Sequence, residues 1–327
     1  MNTKRFINKL MVACCALAIG LVLSGQAQAA DTFVKIATGN VGGVYYPVGV
    51  GMGQLIQKNN PGFIASGMAT AGSVENITLL QTGEAHIAMI QSNVVEDAVN
   101  GERPFKQKYT NLRGITALWP NIQHLVVTKD IKTFGDLKGK RFVVGAARGG
   151  TEVITYALMD AAGLDYRNKD KSKNDFTPVW IAYSEAVESM NNKQTSGGLF
   201  QAFPPGSAIA ELMTEGSYHI LPMSSDYLDK LLEKYPYFAR FTLPAGTYTN
   251  QPDPVSVSAC PVLLITLESM PEDVVYALTK TIFEQLPELY NIHQATKMIS
   301  MEKARDGMSI PLHKGAERYL REKGMLQ

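Results

Sequence analysis

Four times in the first half of this 327-residue chain, an apolar run of strand length ends in a glycine-rich or polar turn and resumes as a helix-periodic segment. Phe33 to Ala37 runs into Thr38-Gly39-Asn40-Val41-Gly42-Gly43-Val44-Tyr45-Tyr46-Pro47, after which Val48, Met52, Leu55 and Ile56 fall on one helical stripe. Phe63 to Ala69 leads to Ala71-Gly72-Ser73-Val74-Glu75-Asn76, and Ala85 to Ile90 leads to Gln91-Ser92-Asn93. Arg141 to Gly145 opens in the same manner into Ala146-Ala147-Arg148-Gly149-Gly150-Thr151-Glu152. A chain that alternates this way builds an open α/β sheet, and its turns gather at the carboxyl ends of the strands, where ligands bind.

The first turn has chemistry of its own. Gly42 and Gly43 accept φ > 0 or let a ligand approach bare backbone, and the first N–H groups of the next helix have no intrahelical partner. With the helix dipole, those donors favour a carboxylate or phosphate. Pro47 suits the first helical position. The glycines do not form G-x-G-x-x-G, and Val44-Tyr45-Tyr46 stands where a phosphate loop needs Gly-Lys-Ser/Thr, so both nucleotide readings fail. An anion site and a plain strand-to-helix turn both remain open for this segment. Ser73 reads as the N-cap of a helix that turns Val74, Ile77 and Leu80 inward and stops at Gly83; the next helix stops at Gly101. The helix after Arg148 carries Val153, Tyr156, Ala157 and Met159 and closes at Gly163. Tyr45, Tyr46, Phe200 and Phe203 either wall a pocket or fill the core, with core favoured for Phe203.

Strands are expected at Leu112 to Leu118, Gln123 to Thr128, Thr177 to Tyr183, Gly198 to Phe203, Tyr218 to Pro222 and Val257 to Thr266. Helices are expected from Pro204-Pro205-Gly206-Ser207, from Asp226 to Lys234, and from Pro271 through Val274, Val275, Leu278 and Ile282, with Pro287 kinking or ending the last. A chain of this length more often divides into two lobes than builds one core. Crossings near Leu125 and Val257 put residues 30–124 and 257–327 in the first lobe and 125–256 in the second, with a hinge between them.

Lys4, Arg5 and Lys9, the apolar run Leu10 to Leu23 and the small-residue site Ala27-Gln28-Ala29 read as a secretory signal peptide over residues 1–29. Its loss leaves 28 basic against 30 acidic residues, a formal charge of −2, so no basic field for nucleic acid remains. Only Cys260 stays, which excludes an intrachain disulfide. The histidines, His86, His124, His219, His293 and His313, lack metal-ligand spacing, and no G-x-S-x-G elbow occurs. We therefore expect no metal, no cofactor, no catalytic residues and a monomer.

The motifs Gly42-Gly43-Val44-Tyr45-Tyr46, Gly72-Ser73-Val74-Glu75-Asn76, Asp136-Leu137-Lys138-Gly139-Lys140, Pro244-Ala245-Gly246-Thr247-Tyr248 and Ile310 to Tyr319 occur in an order that resembles the TAXI-type substrate-binding proteins of TRAP transporters. The resemblance covers the whole mature chain. It implies a type II periplasmic binding protein fold: two α/β lobes joined by a hinge of two crossing strands, closing over a solute. It also implies delivery of a glutamate-like amino acid, or a dicarboxylate such as 2-oxoglutarate, to sodium-coupled TRAP membrane subunits. His86 stands where members often carry Asp, Gly197 where an acid is common, and Arg148 where a small residue is usual. The expected ligand-binding residues are Thr38, Gly42, Gly43, Tyr45, Ser73, Asn76, Gln91, Ser92, Arg148, Gly149, Gly150, Thr151 and Phe200. Arg148 is expected to clamp a second carboxylate opposite the Gly42-Gly43 donors, the rival reading being a solvated loop-tip arginine. The rival functions are a sensor feeding a receptor and an enzyme on the same fold.

Overall fold

In the computed structural model, which describes residues 31–102 and 104–326, the expected strand–turn–helix units form and share one sheet. The expected signal peptide lies outside the described residues. Val34, Ile36 and Ala37 are fully buried on β1 (Thr32–Ala37), which pairs in parallel with β3 (Ile87–Gln91) and neighbours β2 (Phe63–Met68). Parallel strands need crossovers, supplied here by α1 (Tyr45–Asn59) and α2 (Ser73–Thr82); α3 (Ser92–Asn100) leaves the end of β3. Both α2 and α3 end where the sequence indicates, on Gly83 and Gly101 at φ 75° and 72°, a left-handed position that costs glycine nothing.

The two apolar runs around Trp119 are a single 17-residue strand, β4 (Leu112–Thr128), not two. Pro120 does not interrupt it because it stands opposite Pro261 of β10 (Val255–Leu267), so both missing donors fall on one rung, with a register shift just beyond. The first part of β4 pairs with the last part of β10, and β3 flanks β10. Further along, β4 pairs with β7 (Gly197–Ala202) and β8 (Tyr218–Ile220), while β10 pairs with β9 (Ala239–Leu243), a strand the sequence did not announce. Parallel to β7 lies β5 (Arg141–Val143), followed by β6 (Thr177–Val179), giving the order β2-β1-β3-β10-β4-β7-β5-β6.

The helices of the remainder are α4 (Gly150–Ala161), α5 (Tyr183–Asn191), α6 (Ser207–Thr214), α7 (Ser225–Lys234), α8 (Glu272–Glu284), α9 (Leu286–Tyr290) and α10 (Lys314–Glu322). From Phe33 onward the chain forms one compact unit. One apolar cluster gathers Ile77, Leu80, Val94 and Ile265, another Leu125, Phe142, Leu158 and Phe176, and a larger one takes in residues from β1 to α10.

Three local expectations are sharpened. Pro47 is the third residue of α1, still within the turn whose N–H groups lack helical partners. Of the two outcomes open for Pro287 the helix ends: α8 stops at Glu284 and Pro287 lies in the first turn of the short α9. On α4 the buried face is Ile154, Ala157, Leu158 and Met159, whereas Tyr156 is exposed with the Arg167 guanidinium 4.3 Å above its ring.

A buried relay ties the Pro244 to Tyr248 motif to β4. His124 Nδ1 lies 3.0 Å from the Ile122 carbonyl, which can only accept, so Nδ1 carries the proton. Nε2, 3.1 Å from the Tyr248 hydroxyl, then accepts from it, and that hydroxyl accepts from the Gly206 N–H at 3.1 Å. Burial lowers the His124 pKa from 6.5 to about 4. Tyr248→Phe should therefore cost about 1–3 kcal/mol in urea unfolding, by stranding the Gly206 donor and the imidazole acceptor. A histidine with a depressed native pKa contributes stability that is full above pH 6.5 and lost as pH falls toward and through about 4. His124→Asn should show a shallower loss of melting temperature over that window than the parent.

Candidate functional site

The turns that follow β1, β2 and β3 face those that follow β5 and β7, and the two sets touch. The Glu75 N–H donates to the Arg148 carbonyl at 3.1 Å, Gln91 Nε2 to Gln201 Oε1 at 2.8 Å, and Ser207 Oγ to the Gly42 carbonyl at 3.1 Å. Glycine permits this approach. A Cβ at Gly150 would lie 2.7 Å from Ser73 Oγ and 2.8 Å from Gln91 Nε2, and one at Gly149 would lie 2.8 Å from the Ala71 carbonyl oxygen. Between the turns remains a cavity of about 40 Å³ whose polar side chains are Asn40, Tyr45, Ser73, Gln91, Asn121, Thr151, Tyr183 and Gln201. No charged residue lines it.

Two kinds of unused hydrogen-bonding capacity converge there. The first turns of α1, α2 and α4 contribute to the lining, and no side chain caps any of the three. Apart from the Glu75 N–H, spent on Arg148, and Pro47, which has none, their leading N–H groups and their dipoles favour an anion. Buried side chains supply the rest: Gln91 Oε1, Asn121 Oδ1 and Gln201 Nε2 have no partner, although all three residues are at most 5% exposed. Next to Gln91, Ser92 Oγ and both side-chain atoms of Asn93 are equally unpartnered. Buried polar atoms normally find partners, so this concentration makes the turn cavity the candidate binding site. The phenols of Tyr45 and Tyr183 are pushed upward, chiefly by burial, and stay protonated donors. Tyr183 OH accepts the Gln201 N–H at 2.8 Å and lies 2.9 Å from Thr151 Oγ1, which locks the α4 turn to β7.

Of the expected binding residues, the fold brings Gly43, Tyr45, Ser73, Gln91, Gly150 and Thr151 to this cavity. The others stand elsewhere. Arg148 is exposed, at φ 64°, with its guanidinium 3.2 Å from Thr78 Oγ1, so it braces the turn against α2 from outside. Asn76 is a structural clamp: its Nδ2 donates to the Thr38 and Met89 carbonyls at 2.7 and 2.9 Å, and its Oδ1 accepts from Thr70. Thr38 turns its hydroxyl to the Met68 carbonyl. Gly42 offers its carbonyl to Ser207, and the Gly43 N–H is spent on Asn40, so these glycines shape the turn without donating into the cavity. Ser92 and Gly149 are buried beside the lining, not in it. Phe200 is core, 5.2 Å from the Tyr183 ring, while Phe203, half-buried, packs against the same apolar cluster as expected. Ser73 is the first residue of α2 behind the N-cap Gly72, and its hydroxyl accepts the Gln91 N–H. His86 lies at the far end of β3, its Nδ1 accepting the Lys35 N–H.

The sequence reading missed Asn121, Tyr183 and Gln201. Gln201 sits within the run read as the strand Gly198 to Phe203, where a polar residue is the signal that could have found it, whereas Asn121 falls in the gap left between two expected strands. Among the described residues, no cluster of His, Cys, Asp or Glu could hold a metal, and no helix is long and apolar enough to cross a membrane.

The architecture is a mixed α/β fold with a curled sheet, matching periplasmic solute-binding proteins. A solved structure described as a periplasmic transporter is similar at TM-score 0.51 and 14% identity, over 91% of this chain and 94% of that one. A Bordetella bronchiseptica RB50 protein is similar at TM-score 0.50 and 14% identity, over 90% of this chain and 82% of that one. The alkanesulfonate-binding protein SsuA from Xanthomonas axonopodis pv. citri, bound to MOPS, follows at 0.49 and 13%, over 90% and 84%. Over residues 36–324 the chain matches the NMT1-like family, and it belongs to that family.

The division between clamp and lining is measurable. Asn76→Ala removes three buried hydrogen bonds that hold β1, β3 and the Thr70 turn together. It should lower unfolding free energy by about 1–3 kcal/mol or more, whereas Gln201→Ala, at an already incomplete site, should lower it by less.

Proposed function

We propose that this protein is an extracytoplasmic solute-binding protein that holds a small carboxylate between two lobes. The lobes are residues 30–124 with 257–327, and 125–256, joined where β4 and β10 cross; residues 1–29 export the chain. The observation that carries this reading is the meeting of three uncapped helix N-termini with unpaired, buried amides in a cavity free of charged side chains. A carboxylate is then bound by backbone donors and helix dipoles, not by a fixed cation. Gln91 Oε1 and Asn121 Oδ1 are the acceptors left for an ammonium, which fits an amino acid of the glutamate type, and Gln201 Nε2 is the donor left for a distal carboxylate, which also fits 2-oxoglutarate. At about 40 Å³ the cavity is well below the roughly 300 Å³ of ordinary ligand sites, so the solute enters when the turns separate.

The lining pairs no nucleophile with a base, which favours a receptor over an enzyme. The motif pattern supports delivery to the membrane subunits of a sodium-coupled TRAP transporter.

Calorimetry of the purified protein with L-glutamate and 2-oxoglutarate tests the ligand class. We expect saturable binding of at least one, weakened about 10- to 100-fold by Gln91→Ala or Gln201→Ala, the loss of a hydrogen bond to a charged group. Arg148→Ala should leave affinity unchanged, because its guanidinium points to Thr78. Binding of uncharged analogues such as glutaramide, with no binding of either acid, would overturn the proposal.

A further inference from the structure

The strands β4 and β10 carry a second cavity at their crossing, about 230 Å³ in volume and sharing no lining residue with the first. Its walls are apolar, built from Ala117, Leu118 and Pro120 of β4, Pro261 and Val262 of β10, and Met298. An apolar cavity of about 150 Å³ is enough to take up a molecule the size of benzene, so this one has room for a leucine or phenylalanine side chain. Cys260 adds no charge, since burial pushes its thiol up to about 12.

The rim differs from the walls. Lys303 and Asp306 stand there, both exposed, and among the described residues neither side chain has an ion pair or hydrogen bond. The Asp306 N–H donates to the Lys303 carbonyl at 2.9 Å, so a single turn presents one unpaired cation and one unpaired anion beside the apolar opening. Inside, Trp119 lines the cavity with an indole N–H that is buried and unpartnered. Its ring meets that of Tyr45 edge-on at 6.0 Å, and Tyr45 belongs to the solute cavity.

We propose that this cavity is a second binding site, for a free amino acid with an aliphatic or aromatic side chain. The side chain fills the apolar space, Lys303 takes the carboxylate and Asp306 takes the ammonium. A purely apolar molecule leaves both rim charges unused, and an acidic amino acid places a charge in the apolar interior at high cost. The occupant touches both strands at Pro120 and Pro261, where their pairing lacks donors, so its binding is sensed by the joint between the halves.

Trp119 provides the readout. The chain has two tryptophans, and Trp180→Phe removes the other, which is exposed. In that background, titration with L-leucine or L-phenylalanine should give a saturable change in Trp119 emission. Isovalerate, lacking the ammonium, and isoamylamine, lacking the carboxylate, should each bind about tenfold more weakly than leucine. Lys303→Ala and Asp306→Ala should weaken leucine by a similar factor, and both positions are exposed enough to leave folding intact. Ala239→Phe, at the exposed start of β9, should block the opening and abolish the response. Gln201→Ala, in the solute cavity, should leave it unchanged. Two results overturn the proposal: no saturable response to either amino acid, or a response that Gln201→Ala removes and the rim variants retain.

Discussion

The antiparallel pairing of β4 with β10 is the constraint on which the rest of the molecule hangs. Every other part of the sheet is attached to one of these two strands directly or through one neighbour chain: β3, β1 and β2 through β10, β9 on β10, and β7, β5, β6 and β8 through β4. Mid-length, Pro120 faces Pro261, so the ladder loses its donors where the strands pass from one set of partners to the other. A joint with few hydrogen bonds and a register shift bends more cheaply than an unbroken ladder, while the continuous chain on each side keeps both ends rigid. The same ladder sets Asn121 in the lining of the turn cavity and Trp119 in that of the second cavity, against Tyr45 of the first.

The turn cavity runs against the economy of the rest of the fold. Elsewhere many buried polar groups are matched, as in the Gly206–Tyr248–His124 relay or the three bonds of Asn76, and the unmatched ones, at Trp119, Gln123, Ser258 and Tyr319, do not line the turn cavity. At the junction of the turns, amides from opposite sides meet at Gln91 and Gln201 and still leave an acceptor and a donor unused. Each such atom costs about 1–3 kcal/mol when nothing replaces it. Local violations of this kind concentrate where function requires them. In the proposed function, with no charged side chain in the lining, selectivity among carboxylates would fall to the placement of dipoles.

What was legible in the sequence was local. Strand, turn and helix alternate with enough regularity that β1, β3, α2 and α3 could be placed, and Gly83 and Gly101 end their helices because a left-handed residue is a property of the chain itself. The glycine pair Gly149-Gly150 marked a close approach, and the fold gives the cause: Ala71, Ser73 and Gln91 come within contact of it. What failed depended on partners distant in sequence. Arg148 looked free because its neighbours are small, yet Thr78 holds it. The first strand was read only to Leu118, short of Pro120, because nothing local indicates that Pro261 faces that residue and lets the strand continue. Tyr183 and Gln201 reach the cavity from α5 and β7, and only the tertiary fold brings them to Gln91. On α4 the sequence left open which face is buried, and Tyr156 lies at the surface with the Arg167 guanidinium over its ring.

The central claim is that the two sets of turns close on a small carboxylate by bending at the β4–β10 crossing. Small-angle scattering of the purified protein, stripped of bound solute and then saturated with L-glutamate or 2-oxoglutarate, measures that closure most directly. The account predicts a smaller radius of gyration with the acid that calorimetry shows to bind. An unchanged radius at confirmed saturation would contradict it.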